Sequence, residues 1–251
     1  MRHVTRIIRS YTVASGPKFI VPSVNYASHI LSAVEREASR STSKAAIIDG
    51  STGNTITYGD YAYRVGAAAR GFRSAGVTRG TVIAVHLPNS PEFIIAFTAL
   101  ASMGAIITTS NPQYTPQELA HQLKDSGATF VLTMPLLKPV VIAAMAAVGN
   151  LSPHAMLVLG EPSTSFLSVD VSISSGAKRA LPDITTVDAS KQLLALPYSS
   201  GTTGLPKGVA LSHANLTSNI EQSVGANGDG SSGLGLIRDD VMVGVLPLYH
   251  I

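Results

Sequence analysis

Cysteine and tryptophan are absent from this 251-residue chain, aromatic residues make up 6% of it, and charged residues only 13%. Without cysteine there is no disulfide framework, thiolate nucleophile, or cysteine-ligated zinc or iron–sulfur centre, and a reducing compartment is implied. Charge at about half the usual ~25%, set against 45% apolar residues, excludes disorder as the global state, because such a chain buries surface rather than solvating itself. Eighteen basic and fifteen acidic residues leave a net charge of +3 with no basic tract, which excludes a dedicated nucleic-acid surface. Long uninterrupted apolar runs are also lacking, despite a mean hydropathy of +0.27. The best one, Phe93 to Thr109, contains Ser102, Gly104 and several threonines and falls short of the ~20 residues that cross a bilayer, so no transmembrane segment is expected. His86, His121 and His154 have no metal-ligand spacing and are assigned to structure.

What is present is clear punctuation. Thr57-Tyr58-Gly59-Asp60 reads as a helix cap, with a helix from there to about Ala75 and Gly76 as its stop. Thr81–Leu87 reads as a buried strand, and Ser90-Pro91-Glu92 opens a helix that stops at Gly104. Ala105–Thr109 is the next strand. Thr115-Pro116-Gln117-Glu118 forms a second capping box before a helix that closes at Gly127. Thr129–Thr133, a helix over Leu136–Val148, and a strand over Ala155–Leu159 continue the alternation. Helices alternating with continuously apolar strands give βαβ units, so the fold class is α/β with a largely parallel sheet covered on both faces. Ligands of such sheets sit beyond the carboxyl ends of the strands. Residues 1–56 read as a leader and first elements, and 57–251 as part of a larger domain. Glu161–Thr186 reads as a surface excursion, and Gly225–Gly235, with five glycines and two serines, as a mobile loop.

The chemistry concentrates in one segment. The apolar strand Leu193–Tyr198 runs into Ser199-Ser200-Gly201-Thr202-Thr203-Gly204-Leu205-Pro206-Lys207-Gly208, which holds four hydroxyls, three glycines and a lysine in ten residues. Glycines let amides approach an anion, hydroxyls donate to phosphate oxygens, and the lysine adds a movable positive charge. It is not a Walker loop, because Lys207 follows Pro206 and precedes Gly208 and a strand-like Val209-Ala210-Leu211. Taken without its neighbours, the stretch reads either as a polyphosphate cradle or as a glycine-rich hairpin with no chemical role.

The whole string Ser-Ser-Gly-Thr-Thr-Gly-Leu-Pro-Lys-Gly-Val resembles the phosphate-binding signature of the adenylate-forming (AMP-binding) superfamily, which includes acyl-CoA synthetases, 4-coumarate:CoA ligases and luciferases. Leu87-Pro88-Asn89-Ser90-Pro91-Glu92-Phe93, Asn111-Pro112, Thr115-Pro116-Gln117-Glu118-Leu119 and Leu246-Pro247-Leu248-Tyr249-His250-Ile251 look like further blocks of that family in the expected order. Leu196-Pro197-Tyr198 ahead of the loop looks closest to the 4-coumarate:CoA ligase branch. The resemblance implies the N-terminal part of the adenylate-forming fold and a ligase that joins a small-molecule carboxylic acid to coenzyme A at the expense of ATP, with Mg2+. It also implies that Ser199, Ser200, Gly201, Thr202, Thr203, Gly204 and Lys207 hold the ATP phosphates. Tyr249 and His250, after a buried-looking strand over Val241–Leu246, would line the acyl pocket. His213 reads as the first residue of a helix capped by Ser212.

Members of this family continue for several hundred residues, through the magnesium and ribose ligands and a small domain with a catalytic lysine. The chain therefore reads as a catalytically incomplete N-terminal fragment or truncated product, with no catalytic residue assigned. Unpaired sheet edges and exposed apolar surface are expected of it. Two other readings are a non-catalytic remnant that binds nucleotide or a partner, and another adenylate former of the luciferase or carrier-loading kind. The resemblance implies a cytoplasmic or peroxisomal enzyme, while Arg2, Arg6 and Arg9 ahead of the first acid, Glu35, fit a mitochondrial presequence or an irregular leader.

Overall fold

The structure, a computed structural model, describes residues 24–161, 164, 188–199, 206–224 and 238–250. The readings placed on Arg2–Arg9, on residues 162–186 apart from Thr164, and on Gly225–Gly235 lie outside the described residues.

Six strands build the central sheet: β3 (Val82–Val85), β4 (Ile106–Thr109), β5 (Phe130–Thr133), β6 (Met156–Val158), β7 (Leu193–Ala195) and β10 (Leu211–Ser212). Their order is β10-β7-β4-β3-β5-β6, and every pairing is parallel except that of β10 with β7. The helices between them are α2 (Tyr58–Ser74), α3 (Pro91–Ser102), α4 (Pro116–Ser126) and α5 (Lys138–Val148). Each of the first three begins where its cap signal stands. Thr57 accepts from the Asp60 amide at 3.1 Å, Ser90 from Phe93 at 3.2 Å, and Thr115 from Glu118 at 3.3 Å. At Thr115 the box closes reciprocally, with the Glu118 carboxylate accepting from the Thr115 amide at 2.8 Å. Alternate side chains of the strands face opposite layers. Ile83, Val85, Ile107 and Leu132 pack with Phe72, Ile95 and Leu100 on one side, while Ala84 and Val131 pack with Leu119, Leu123, Val141 and Ala144 on the other. That double cover is why these strands are continuously apolar.

An element not read from the sequence is α1 (Tyr26–Arg40), which buries Ala27, Leu31 and Val34. Its signal was available in the Asn25 cap, whose side chain accepts from the Ser28 amide at 2.7 Å, and in the spacing of those three apolar residues. The hairpin of β1 (Ala45–Ile48) and β2 (Thr55–Thr57) follows.

Three readings are corrected. Pro135–Leu137 forms a 3-10 turn ahead of α5, because Pro139 has no N–H with which to carry the α-helical ladder back to Pro135. The apolar run Leu193–Tyr198 is not one strand. It leaves the central sheet at Leu196-Pro197, and Tyr198–Ser199 (β8) pairs instead with Lys207–Gly208 (β9) in a separate two-stranded ladder. Val241–Leu246 is not a buried strand but irregular backbone, with Val241, Val243 and Leu246 each at least three-quarters exposed. Apolar content alone cannot supply the neighbouring strand that hydrogen-bonds and covers such a run, and no partner strand for it exists among the described residues. The expected exposed apolar surface is found here. The helix α6 (His213–Val224) begins where read, with Ser212 accepting from the Asn215 amide at 3.3 Å. No helix among the described residues is long and apolar enough to cross a membrane.

Candidate functional site

The parallel strands share one carboxyl edge, and the segments that carry Ser199, Lys207 and Tyr249 come to it. Strand β7 pairs in parallel with β4, so the chain leaving Ala195 emerges beside the end of β4. There Leu196 is held twice, its amide donating to the Ile107 carbonyl at 2.8 Å and its carbonyl accepting from the Thr108 hydroxyl at 2.8 Å. Two residues later the hairpin begins, with Tyr198 opposite Gly208 and Ser199 opposite Lys207. The first hydroxyl of the ten-residue segment and its lysine are thereby cross-strand neighbours at the mouth of the loop. Both are exposed, and no carboxylate among the described residues pairs with Lys207. Ser200, Gly201, Thr202, Thr203 and Gly204 lie outside the described residues. A hydroxyl and an ammonium with no carboxylate partner among the described residues, flanking a glycine-containing segment, suit an anionic, oxygen-rich group.

Tyr249 and His250 reach the same edge by a different route. The Thr109 hydroxyl, at the end of β4, donates to the Tyr249 carbonyl at 2.7 Å. Asn89, just past β3, donates through Nδ2 to the carbonyls of Gly244 (3.2 Å) and Leu246 (2.9 Å) and accepts from the Leu248 amide at 2.7 Å. His250 is exposed, and its amide donates to the Pro247 carbonyl at 3.0 Å. Asn89 holds this segment in place, and sequence reading recorded it only as part of a block. Replacing it with alanine removes three hydrogen bonds, so the Leu248 amide should exchange with solvent at least ~10-fold faster, while global stability falls by only about 1 kcal/mol because the site is exposed. Exchange of the 244–250 segment followed by mass spectrometry checks this, and an unchanged rate refutes it.

Two buried histidines have structural partners, His86 beside the carboxyl edge and His213 at the opposite, amino edge, where its amide donates to the Gln192 carbonyl ahead of β7. His86 is fully buried after β3, with Nδ1 2.8 Å from the Ser110 hydroxyl, and burial lowers its pKa to about 4. His213 is buried too, its Nδ1 accepting from the Tyr26 amide at 3.2 Å, and burial again lowers its pKa to about 4. Both are neutral imidazoles, with a single N–H each, near neutrality. Gln122, on the apolar stripe of α4 with Leu119 and Leu123, donates to the Thr108 hydroxyl (2.7 Å) and the Thr109 carbonyl (3.0 Å). A polar residue on a buried helix face was its sequence signal.

A family model described as AMP-binding enzyme matches residues 34–251. The chain belongs to the AMP-binding enzyme family. Among its relatives in that family, 4-coumarate--CoA ligase 5 of Oryza sativa subsp. japonica is 41% identical over 221 residues, covering 86% of this chain and 38% of the relative. 4-coumarate--CoA ligase 4 of Arabidopsis thaliana is 36% identical, covering 84% and 36%. The chain thus spans less than two-fifths of the length of these relatives. Among solved structures, a long-chain-fatty-acid-CoA ligase of Archaeoglobus fulgidus superposes with a TM-score of 0.76 at 26% identity, covering 96% of this chain and 46% of its own. ATP-bound MatB of Rhodopseudomonas palustris does so at 0.63 and 28%, covering 82% and 38%. The mostly parallel sheet is therefore that of the N-terminal part of the AMP-binding fold.

Proposed function

We propose that this chain supplies the phosphate-holding part of an ATP-dependent carboxylate:CoA ligase. The observation that carries the reading is the pairing of Ser199 with Lys207 at the carboxyl edge of a sheet belonging to the AMP-binding family. In that reaction a carboxylate oxygen attacks the α-phosphorus, the bond to the β-phosphate bridging oxygen breaks, and pyrophosphate departs with the electron pair. A thiol then displaces AMP from the acyl adenylate. In this reading Ser199, Ser200, Gly201, Thr202, Thr203, Gly204 and Lys207 hold the β- and γ-phosphate oxygens, where negative charge accumulates as pyrophosphate leaves. Donors already in place there stabilise the transition state more than the ground state. The described residues include no cluster of three or more acidic or histidine side chains able to hold a metal. Mg2+ bound with the nucleotide would offset the charge of the phosphates. Tyr249 and His250 are assigned to the acyl side of the same edge, and 4-coumarate--CoA ligase relatives favour an aromatic acid as substrate, with coenzyme A as the thiol. The same reading puts the protein among cytoplasmic or peroxisomal enzymes. The test is calorimetric titration of the 251-residue chain with magnesium-ATP. Saturable binding at submillimolar nucleotide is expected, competed by pyrophosphate. No heat of binding at millimolar nucleotide would sink the reading.

A further inference from the structure

The ladder that carries Lys207 is only two residues long on each strand, Tyr198–Ser199 against Lys207–Gly208. A pairing that short does not hold its own geometry in water. Something outside it has to fix where the lysine stands. The central sheet accounts for only one end, through the anchored Leu196 and the Val209 amide, which donates to the Pro197 carbonyl at 2.8 Å.

The other support is helix α4. His121 and Asp125 are four residues apart and so share one face of that helix. The Tyr198 hydroxyl donates to the Asp125 carboxylate at 2.5 Å, the short separation of a charge-assisted O–H···O⁻ bond. One turn earlier, His121 Nε2 lies 3.4 Å from the Pro206 carbonyl, the residue before Lys207. The Tyr198 ring also covers Gly208, so closely that a Cβ there would come within 3.2 Å of the ring carbon bearing the hydroxyl. Tyr198 therefore touches both strands of the ladder while its hydroxyl is tied to the helix. Between helix and hairpin remains a cleft of about 140 Å³ bordered by Tyr114, Gln117, His121, Tyr198 and Pro206. The two are apposed without being packed tight, which leaves the polar contacts to set their separation. Gln122 ties the same helix to Thr108 and Thr109 at the strand ends, beneath the Thr109–Tyr249 bond.

From this we infer that α4 is the brace of the lysine hairpin, with Asp125 and His121 as positioning residues that hold Lys207 opposite Ser199. Tyr198 remains a donor across the neutral and alkaline range, since burial first and the Asp125 carboxylate second push its pKa well above that of an ordinary phenol. Because Asp125 is exposed and α4 is held by its capping box and by Leu119 and Leu123, substitution at Asp125 leaves the helix in place.

The consequence for nucleotide binding rests on the function proposed above, so the experiment has two readouts on the 251-residue chain. Hydrogen exchange at the Val209 amide and its hairpin neighbours reads the brace, and calorimetry with magnesium-ATP reads its effect. Asp125→Ala and Tyr198→Phe should each speed hairpin exchange about tenfold and His121→Ala less, with α4 amides unchanged. Asp125→Asn, which still offers an oxygen to the phenol, should restore most of the protection. Magnesium-ATP affinity should fall several-fold in the same rank order. Hairpin exchange identical to the parent in Asp125→Ala and Tyr198→Phe overturns the brace, as does an increase that appears equally in α4. A parent chain that binds no ATP removes the phosphate reading, while hairpin exchange still decides the brace.

Discussion

Exchanging Lys207 for methionine lowers the affinity of the chain for magnesium-ATP by about 10- to 100-fold while leaving its unfolding midpoint in urea unchanged. The side chain is exposed and forms no ion pair among the described residues, so removing its charge breaks no ion pair among them. Its loss falls on the bound state, where a hydrogen bond between an ammonium and phosphate oxygens contributes ~1.5–3 kcal/mol, or one to two decades in affinity. Methionine keeps an unbranched apolar stem, one atom shorter, and removes the charge with its N–H donors. Arginine at the same position should recover part of the affinity, because its planar fork carries the charge but aims its donors differently. Raising salt from 50 to 500 mM should weaken the parent and bring it closer to the methionine variant, since screening acts on an exposed charge. Calorimetry on the three chains checks this. Equal affinities for parent and Lys207→Met would remove the lysine from the site.

The second large effect is on stability as a function of pH. His86 and His213 are buried and neutral, with pKa values lowered by burial to about 4 against an unfolded value of ~6.5. Between those limits the unfolded chain binds more protons than the folded one. Their contribution is thus fully present above pH 6.5 and is lost as pH falls toward 4. Each imidazole adds a slope of up to ~1.4 kcal/mol per pH unit, and the pair should cost roughly 6 kcal/mol by pH 4, a large part of the ~5–15 kcal/mol typical of a domain. The carboxylates act lower on the scale. Glu37, Asp49 and Glu118 are held below their ordinary values by side-chain or backbone hydrogen bonds, and Asp188 is held near 2 by Ser190 and Lys191. Their folded-state advantage stays in place until pH falls below the unfolded carboxylate range, so the interval from 6.5 to about 4.5 belongs to the histidines. Urea unfolding at half-unit steps should show stability falling through that interval. His86→Gln, which keeps a polar atom toward Ser110, should flatten the slope by about half. An unaltered slope in that variant would acquit His86.

The helices α2, α3 and α4 were legible to within a residue or so because each start is a local event: a hydroxyl within reach of an amide three residues on, with proline or an acid in the first turn. The parallel strands were legible because burial on both faces leaves an unbroken apolar run. The same rule misread Val241–Leu246, since an apolar run records what could be buried and not whether another strand is there to bury it. It also misread Leu193–Tyr198, where Pro197 divides one run between two sheets. At the candidate site, Lys207, Tyr249 and His250 stood out through their motifs. Asn89, His121, Gln122 and Asp125 did not, because their partners are 13 to 159 residues away and no local pattern announces such a meeting.

The sequence by itself determined the α/β class, the helix starts and the chemistry of the ten-residue segment, since backbone propensity, capping and donor type are properties of near neighbours. Only the tertiary structure decided that Ser199 faces Lys207, that α4 underlies their hairpin, and that Thr109 and Asn89 bring Tyr249 to the same sheet edge. Those are contacts between distant parts of the chain, chosen by how the layers pack.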